Sequence, residues 1–464
     1  MALRTLVLIG VTVLAAGGAP AAPVGAPNPE IGKIVAEISP QRIERTIRRL
    51  AAFGTRHTLS GTEGEDRGIG AARRWIKAEL EACGRGTPLE VAFDEHDLGP
   101  SARVPSPGVR LANVVATLPG SQPESRARMY VVSGHYDSMR TDVMNPTGEA
   151  PGANDDASGT AVAMELACVM ARHKFDATLV FMAVAGEEQG LLGSTAFAKA
   201  ARAKGLDIAG MFTNDIVGNS HAPDGSRHAD RLRLFAEGIP AVETLTPALR
   251  TQLGTGGEND GATRQLARAV KAAADGYVTG TRVDVIWRRD RYLRGGDHFP
   301  FLEAGYPALR FTEPVEDWRH QHQDVRVENG VQYGDLPQFV DFAYVAQVAR
   351  INAAALASLA LAPSAPRDVE MEALRLEPDT TLRWAPNPEP DVAGYRIVWR
   401  DTTAPDWQHA RDVGNVTRYT LQGVSKDDSS FGVQAYDRDG NVSVATYPRP
   451  LRRTVAPAAT APAK

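Results

Sequence analysis

Cysteine, aromatic side chains and an excess of charge of either sign are scarce in this chain of 464 residues. Two cysteines cannot build a disulfide framework. The 51 basic and 56 acidic side chains give a net charge of -5, which provides no basic field for nucleic acid or for an anionic membrane surface. We therefore expect neither a nucleic-acid partner nor a membrane partner. Hydrophobic residues make up 43% of the chain and charged residues 23%, as in globular rather than disordered proteins.

The N-terminal segment has the pattern of a secretory signal peptide. A single positive charge at Arg4 precedes an apolar run, and small residues follow up to Ala21. The alternative is a membrane anchor, but the run is shorter than the roughly 20 residues that span a bilayer. The pattern predicts a cleaved signal peptide over residues 1–21 and a secreted or periplasmic mature protein. We expect no later segment to be long and apolar enough to cross a membrane.

The two cysteines, Cys83 and Cys168, both lie among apolar neighbours in segments with a helical pattern. Outside the cytosol they could form a disulfide bond. We favour two buried thiols that pack as small hydrophobic side chains. The sequence leaves the pairing open.

Apolar runs suited to buried strands alternate with amphipathic helical segments between residues 36 and 360. The predicted strands are Ala112–Leu118, Arg128–Ser133, Thr178–Ala185, Gly210–Asp215, Arg282–Trp287 and Pro307–Phe311. The predicted helices are Pro40–Phe53, Gly68–Ala82, Ser158–His173, Ser194–Lys204, Thr263–Ala273 and Gln338–Leu359. This alternation predicts an α/β domain with a mostly parallel central sheet flanked by helices. Such folds bind ligands at the carboxyl ends of their strands.

A smaller all-β domain is predicted after residue 360. Residues 361–366 are rich in proline and small residues, which indicates a linker. Short alternating runs separated by turn residues follow over 367–450 and predict a small β-sandwich. The segments around Trp384, Trp399 and Tyr436 resemble those of a fibronectin type III domain, whose partner the sequence does not reveal. Residues 454–464, rich in alanine and proline, are expected to be disordered.

Five polar clusters lie at or soon after the ends of predicted strands. They are Gly134-His135-Tyr136-Asp137, Gly152-Ala153-Asn154-Asp155-Asp156-Ala157-Ser158-Gly159, Gly186-Glu187-Glu188-Gln189-Gly190, Asn214-Asp215 and His320-Gln321-His322-Gln323-Asp324. Each cluster alone is explained as well by a solvated loop or by a helix N-cap. Adjacent side chains of an extended segment point in different directions, so Glu188 could bind a metal while Glu187 faces a water molecule. All five together, in this order, point to a metal centre.

These motifs resemble those of the zinc-dependent aminopeptidase family, which includes secreted bacterial leucine aminopeptidases and has glutamate carboxypeptidases and glutaminyl cyclases as relatives. The resemblance covers roughly residues 40–360. It implies that His135 and Asp215 hold one zinc ion, that Glu188 and a late histidine hold a second, and that Asp155 bridges the two. It also implies that Glu187 is the general base, that Asp137 orients His135, and that the Asp155-Asp156 peptide is cis.

The late histidine has two candidates. The spacing to Asp324 favours His320, whereas the preceding Glu316-Asp317-Trp318 segment resembles family members in which the ligand follows a glutamine, which favours His322. His322 is slightly preferred. His298 matches a family segment near the site that supplies no zinc ligand, and Tyr292 is a loose match to an oxyanion-stabilising phenol.

The resemblance therefore implies a secreted two-zinc exopeptidase that removes N-terminal residues from peptides with a free N-terminus. A water molecule activated by the metal ions would be the nucleophile. The alternatives are a glutaminyl cyclase or a carboxypeptidase on the same fold, and a non-catalytic binding protein. Retention of His135, Asp215 and Glu187 disfavours the cyclase and the binding protein. The substrate pocket is expected on loops 138–150 and 219–262.

Overall fold

One large sheet forms the centre of the computed structural model, which describes residues 25–240, 242 and 244–451. Its strands are β1 (Glu90–Leu98), β2 (Val109–Leu118), β3 (Arg128–His135), β4 (Thr178–Val184), β5 (Asp207–Asn214), β6 (Arg231–Ala236), β7 (Arg282–Ile286) and β8 (Ala308–Thr312). They lie in the spatial order β1-β2-β4-β3-β5-β8-β6-β7. The sheet thus has eight strands, two more than the sequence predicts.

The middle of the sheet is parallel and its flanks are mixed. Strands β4, β3, β5 and β8 run parallel to one another. Strands β1 and β2 join antiparallel on one side, and β6 joins β8 antiparallel on the other. The predicted α/β fold is confirmed. Two strands were not predicted. Strand β1 is rich in charged residues and half-exposed, and β6 is a short strand within a segment predicted to be a loop.

Helices cover both faces of the sheet. In the described part they are α1 (Pro29–Ala36), α2 (Pro40–Ala51), α3 (Gly68–Cys83), α4 (Ala157–Met170), α5 (Leu192–Ala203), α6 (Pro247–Leu253), α7 (Ala262–Tyr277), α8 (His298–Glu303) and α9 (Phe342–Leu361). All six predicted helices are present, and α1, α6 and α8 are additional. Helix α9 has the length and hydropathy of a membrane span, contrary to expectation. However, 78% of its most apolar 18-residue stretch is buried inside the fold.

Cys83 and Cys168 form a disulfide bond, so the preference for two free thiols was wrong. Helix α3 ends at Cys83, and Cys168 lies near the end of α4. The two helices pack against each other and bring the Cα atoms to 5.2 Å, a normal distance for a disulfide. The helical patterns show two amphipathic segments but not that their ends meet.

The C-terminal part consists of two small, mostly antiparallel sheets with a common core. One contains β11 (Glu370–Glu372), β12 (Thr380–Arg383), β15 (Arg418–Leu421) and β17 (Arg449–Leu451), and the other contains β13 (Val392–Asp401), β14 (His409–Gly414) and β16 (Ser429–Asp437). A separate hairpin, β9 (Arg326–Glu328) and β10 (Val331–Tyr333), follows the late histidines. Leu382, Trp384, Tyr395 and Phe431 lie in the shared core. The resemblance to fibronectin type III stays a prediction.

The two parts are joined by buried polar contacts. The Arg400 guanidinium of β13 donates two hydrogen bonds, of 2.9 and 2.8 Å, to the carboxylate of Asp260 just before α7. Arg128 at the start of β3 pairs with Glu389 at 3.3 Å. Ala362, in the predicted linker, is buried and accepts a 2.6 Å hydrogen bond from Arg128. The predicted signal peptide and C-terminal tail lie outside the described residues.

Candidate metal centre

Three of the five polar clusters meet because they follow neighbouring parallel strands. His135 is the last residue of β3, Glu187 and Glu188 come soon after β4, and Asp215 comes directly after β5. The order β4-β3-β5 places these side chains at one edge of the sheet. Asp155 joins them from the turn that precedes α4, and a late loop beyond β8 adds a histidine. The site therefore lies where α/β sheets bind their ligands.

Asp155 lies at the middle of this group and contacts two histidines with different oxygens. Its Oδ1 is 3.1 Å from Nε2 of His135. Its Oδ2 is 2.7 Å from Nε2 of His322, which also lies 3.2 Å from a carboxylate oxygen of Glu188. The two oxygens of one carboxylate thus face two sides of the cluster.

Two overlapping sets of side chains have the spacing of a metal site. His135, Glu187 and Asp215 form one, and His135, Asp155 and Glu188 form the other, with the donor atoms of each set within 4.8 Å of one another. The first set includes Glu187, which the sequence assigns to proton transfer rather than to metal binding. All the residues predicted from the first four clusters are brought together.

His322, and not His320, faces the cluster. The His320 ring stacks on Phe339 with a centroid distance of 3.5 Å, and its Nδ1 lies 3.5 Å from Asp317. His322 has a φ of 51°, in the left-handed region that non-glycine residues adopt rarely. Spacing along the sequence does not show which of the two histidines points inward. The left-handed backbone conformation at His322 turns its ring toward the cluster.

Asp137 positions other groups and does not itself lie in either metal set. One of its oxygens accepts the backbone N–H of Glu187 at 3.2 Å, and the other accepts that of Glu188 at 3.1 Å. The Thr58 hydroxyl adds a third hydrogen bond at 3.0 Å. Nδ1 of His135 lies 3.2 Å from the backbone oxygen of Asp137 and 3.6 Å from its carboxylate. Asp137 therefore holds the glutamate pair and faces the inner nitrogen of His135, which leaves Nε2 directed at the centre.

The glycines of these motifs allow close backbone approach. A side chain at Gly134 would collide with the backbone of Gly159 in α4, and one at Gly159 would collide with the carbonyl oxygen of Asn214. Asp156 caps α4 by accepting the Gly159 N–H at 2.9 Å and also accepts the His135 N–H at 2.9 Å. The helix N-cap that could explain this cluster is thus present, and it is Asp156. The Asp155-Asp156 peptide is cis, as the family resemblance implies.

A bound cation would stabilise the buried carboxylates of the site in their charged form. Burial raises the pKa values of Glu187, Glu188 and Asp215 above their usual range. Burial alone would lower the pKa of His322, but Glu188 and Asp155 outweigh it and raise that pKa well above its usual value. Oε1 of Glu188 and Nε2 of His322 are buried, and although they lie 3.2 Å apart, neither makes a hydrogen bond of good geometry. Nitrogen and carboxylate donors of this kind fit zinc.

Sequence reasoning missed several residues that support the site. Arg310, in the middle of β8, is buried and lies 2.9 Å from the Asp215 carboxylate. Asp335 accepts the backbone N–H groups of Asn154 and Asp155, both at 2.7 Å, and burial raises its pKa to about 7. An arginine within an otherwise apolar strand was the available signal for Arg310. Nothing local marks Asp335, which acts across 180 residues of sequence.

Two further buried groups frame the centre without entering it. The Arg56 guanidinium donates to the carbonyl oxygens of Tyr136, Pro151 and Gly152 at 2.6, 2.5 and 2.9 Å, which ties two of the motif loops together. Asp297 is buried, and burial raises its pKa to about 7. Arg56 stands in no recognisable motif, whereas Asp297 directly precedes His298 in the segment that resembles the family.

The two weaker predictions have different outcomes. His298 begins α8, is buried, and has its Nε2 3.0 Å from the carbonyl oxygen of Arg289, so it is a helix-start histidine as expected. Tyr292 lines the cavity in front of the metal centre, but its side chain is 82% exposed and lies under Arg288. Its role as an oxyanion-stabilising group stays a prediction.

Comparison with known proteins gives the same result as the motifs. The model of Peptidase family M28 matches residues 113–336, which contain all the site residues described above except Arg56 and Thr58. A "Probable zinc metalloprotease" of Leptosphaeria maculans is 48% identical over 92% of this chain and 98% of its own length. The chain belongs to peptidase family M28. A second relative, also named "Probable zinc metalloprotease", from Pyrenophora tritici-repentis, is 46% identical over 91% of this chain and 88% of its own length.

A solved structure confirms the fold of this M28 peptidase. The LapA aminopeptidase of Legionella pneumophila superimposes with a TM-score of 0.50 and 18% identity, over 71% of this chain and 75% of that one. At this identity the match concerns the fold alone. The central sheet and its helices are therefore those of a known aminopeptidase structure.

Proposed function

We propose that this M28 zinc metallopeptidase is a secreted two-zinc aminopeptidase. The observation that carries the proposal is the position of Asp155, whose two oxygens approach His135 at 3.1 Å and His322 at 2.7 Å. A carboxylate that faces two histidines in this way suits a bridge between two metal ions. His135 and Asp215 would hold one ion, and Glu188 and His322 the other.

The donor set matches the chemistry of such a centre. When bound, two zinc ions polarise the scissile carbonyl and make a water molecule nucleophilic near neutral pH. The protein supplies a limited number of nitrogen and carboxylate ligands, which leaves positions open for the water and for the substrate's amine. The names of the two fungal relatives and the aminopeptidase with the same fold support this assignment.

Glu187 is the group that moves the proton. Its side chain lines the cavity in front of the metal centre, where a carboxylate can take a proton from the attacking water and return it to the leaving amine. Its backbone is held by the 3.2 Å hydrogen bond to Asp137, so the carboxylate keeps a defined position beside His135 and Asp215. Asp137 is thus a positioning residue, and Glu187 is the catalytic one.

The peptide substrate and the location of the enzyme belong to the same proposal. The substrate is a peptide with a free N-terminus, and the mature protein is secreted or periplasmic. The Cys83–Cys168 bond supports an oxidising compartment, because disulfides persist there and are rare in the cytosol. N-terminal sequencing of the exported protein tests removal of residues 1–21.

Hydrolysis of aminoacyl anilides by the zinc-loaded protein and by Glu187→Gln tests the function. We expect turnover that requires a free amine, and a fall of about 10²–10⁴-fold in kcat for the variant while its zinc content stays the same. Glu124→Gln is the matched control. Glu124 is an exposed carboxylate that precedes the start of β3, whereas the site lies at the end of that strand. It should keep full activity.

Other outcomes would point to the alternatives. Hydrolysis of N-blocked peptides from their C-terminus would indicate a carboxypeptidase, and cyclisation of N-terminal glutamine would indicate a glutaminyl cyclase. Bound zinc without turnover of any of these substrates would favour a binding protein. Any of these results would overturn the aminopeptidase proposal.

A further inference from the structure

A cavity of about 820 Å³ opens in front of the metal centre, and one wall of it is rich in arginine. The wall is formed mainly by the segment 288–295, which follows β7 and precedes α8. Among the described residues, the arginines that line the cavity are Arg103, Arg288, Arg289, Arg291, Arg294 and Arg310. The predicted pocket loops contribute little, because Met139 is the one lining residue among those of their residues that the structure describes.

One arginine of the wall is neutralised, because Arg289 pairs with Glu237 at 3.4 Å and with Glu303 at 2.9 Å.

For the other arginines of the wall, the nearby carboxylates are too few. Arg233, Arg291 and Arg294 all pair with the single carboxylate of Glu316, at 3.0, 3.1 and 2.7 Å. Burial alone would raise the pKa of Glu316, but Arg291 and Arg294 outweigh it and lower that pKa to about 2. Glu316 therefore stays ionised, and its one negative charge faces three positive ones.

Two of the lining arginines have no carboxylate partner in the described part of the chain. Arg103 donates a 2.8 Å hydrogen bond to the backbone oxygen of Glu188, next to the metal centre. The Arg288 guanidinium lies 4.1 Å from the centre of the Tyr292 ring. Both side chains belong to exposed residues, so an incoming ligand can reach them.

The carboxylates that line the cavity do not offset this surplus of positive charge. Four of the five, Asp155, Glu187, Glu188 and Asp215, belong to the metal centre, where two Zn²⁺ ions would balance their charge. The fifth, Asp290, is buried and pairs with Arg291 at 3.0 Å and with Arg310 at 3.5 Å. With metal bound, the cavity is positive.

We infer that this cavity selects peptides that carry a carboxylate within one residue of the scissile bond. The specificity residues are Arg103, Arg288 and Arg294. Each can be reached from the cavity and carries positive charge that the nearby carboxylates do not neutralise. Arg294 is held in place by stacking at 4.8 Å on Trp318, and Arg288 by Tyr292. A planar guanidinium held in this way binds a carboxylate with two parallel hydrogen bonds. This inference rests on the proposed exopeptidase function and adds a substrate class to it.

The carboxylate can come from three places, and three pairs of substrates distinguish them. Asp and Asn anilides test the side chain of the N-terminal residue. Leu-Asp-amide and Leu-Asn-amide test the side chain on the leaving side, and Leu-Leu as free acid and as amide tests a C-terminal carboxylate. With the zinc-loaded protein we expect kcat/KM to be at least about tenfold higher for the acidic member of one pair, with the difference in KM. Equal rates in all three pairs would overturn the inference, while turnover of Leu anilide would still support the exopeptidase.

Charge-reversal variants test whether the arginine wall causes the preference for acidic substrates. Arg288→Glu and Arg294→Glu should reduce the acid-to-amide ratio to one or below and should improve a lysine-containing substrate. Arg367→Glu is the control, because it makes the same charge change at an exposed position of the C-terminal part and should keep the ratio of the wild type. A ratio unchanged in both wall variants would overturn the assignment.

A binding measurement separates selection from catalysis and from misfolding. Calorimetric titration of zinc-loaded Glu187→Gln with the preferred acidic peptide and with its amide isostere should show at least about tenfold tighter binding of the acid at low salt. The difference should shrink as salt rises, since partly exposed ion pairs are screened. Equal affinities would overturn the inference. If Arg288→Glu does not fold, Arg288→Gln in the same titration should lose most of the difference.

Discussion

Carboxylates are buried in two regions of this molecule, and their surroundings are opposite. At the junction with the C-terminal part, both oxygens of Asp260 accept hydrogen bonds from Arg400, and neither side chain is more than 2% exposed. At the metal centre, Glu188 is also buried, at 5% exposure, but its Oε1 lies 3.2 Å from Nε2 of His322 without a hydrogen bond of good geometry. The first carboxylate is satisfied by the protein and the second is not.

Complete or incomplete hydrogen bonding distinguishes a structural buried carboxylate from a functional one. A buried ion pair with complete hydrogen bonding holds two parts of a fold together, and removing one partner is costly. A group of buried carboxylates without enough donors is unstable by itself and needs a ligand of opposite charge. The raised pKa values of Glu187, Glu188 and Asp215 indicate the same need.

The largest expected effect is at the metal centre. His322→Ala should lower the zinc content to one ion per chain and reduce kcat/KM by at least about 10²-fold, because removing a ligand costs more than removing its supporting hydrogen bond. His320→Ala is the matched control and should keep both ions, since His320 stacks on Phe339 outside the cluster. Metal analysis of both variants checks this. Loss of zinc from His320→Ala instead would show that the inward histidine was misassigned.

At the junction we expect a loss of stability without loss of metal. Asp260→Asn should lower the free energy of unfolding by about 3–5 kcal/mol, because it leaves Arg400 buried without its partner. Asp275→Asn, in the half-exposed pair with Lys271 at 2.5 Å on α7, should cost less than about 1 kcal/mol. Denaturant unfolding measures both. If Asp260→Asn lost zinc instead of stability, the two regions would not be independent.

A smaller effect concerns a half-buried carboxylate at the same junction. Burial, together with Asp391 and Asp437, raises the pKa of Asp176 to about 6. The folded state therefore holds the proton more tightly than the unfolded state, so this group's contribution to stability falls as pH rises from about 4 through 6. Asp176→Asn should stabilise the protein at pH 7 by about 1 kcal/mol, an amount reduced by solvent screening.

Thermal unfolding of Asp176→Asn and wild type at pH 4 and pH 7 checks the sign. The variant should gain stability relative to wild type only at the higher pH. An equal difference at both pH values would mean that the charge of Asp176 is not responsible.

The sequence predicted the part of the site that is written in short motifs at strand ends. His135, Asp155, Glu187, Glu188 and Asp215 could be found because parallel strands bring their carboxyl ends together wherever the strands are correctly placed. The choice between His320 and His322 needed the backbone conformation at His322. The partners that come from distant segments, such as Arg310, Asp335 and Arg56, could not be found, because nothing local in the sequence shows which strands and loops meet.

The same limit explains the errors in the fold. The Cys83–Cys168 bond depends on the contact between α3 and α4, and the Arg400–Asp260 pair depends on how the C-terminal part sits on α7. Strand β1 pairs only with β2 in the main sheet and carries charged residues, so its pattern resembles that of a loop. Long-range pairing decides all three features.

Titration of the metal-free protein with zinc, followed by calorimetry, tests the central claim most directly. The bridging position of Asp155 predicts two zinc ions per chain in the wild type, and Asp155→Asn should weaken the binding of both. Saturation at one ion per chain, or loss of only one ion in Asp155→Asn with the other bound as tightly as before, would contradict a bridged two-metal centre.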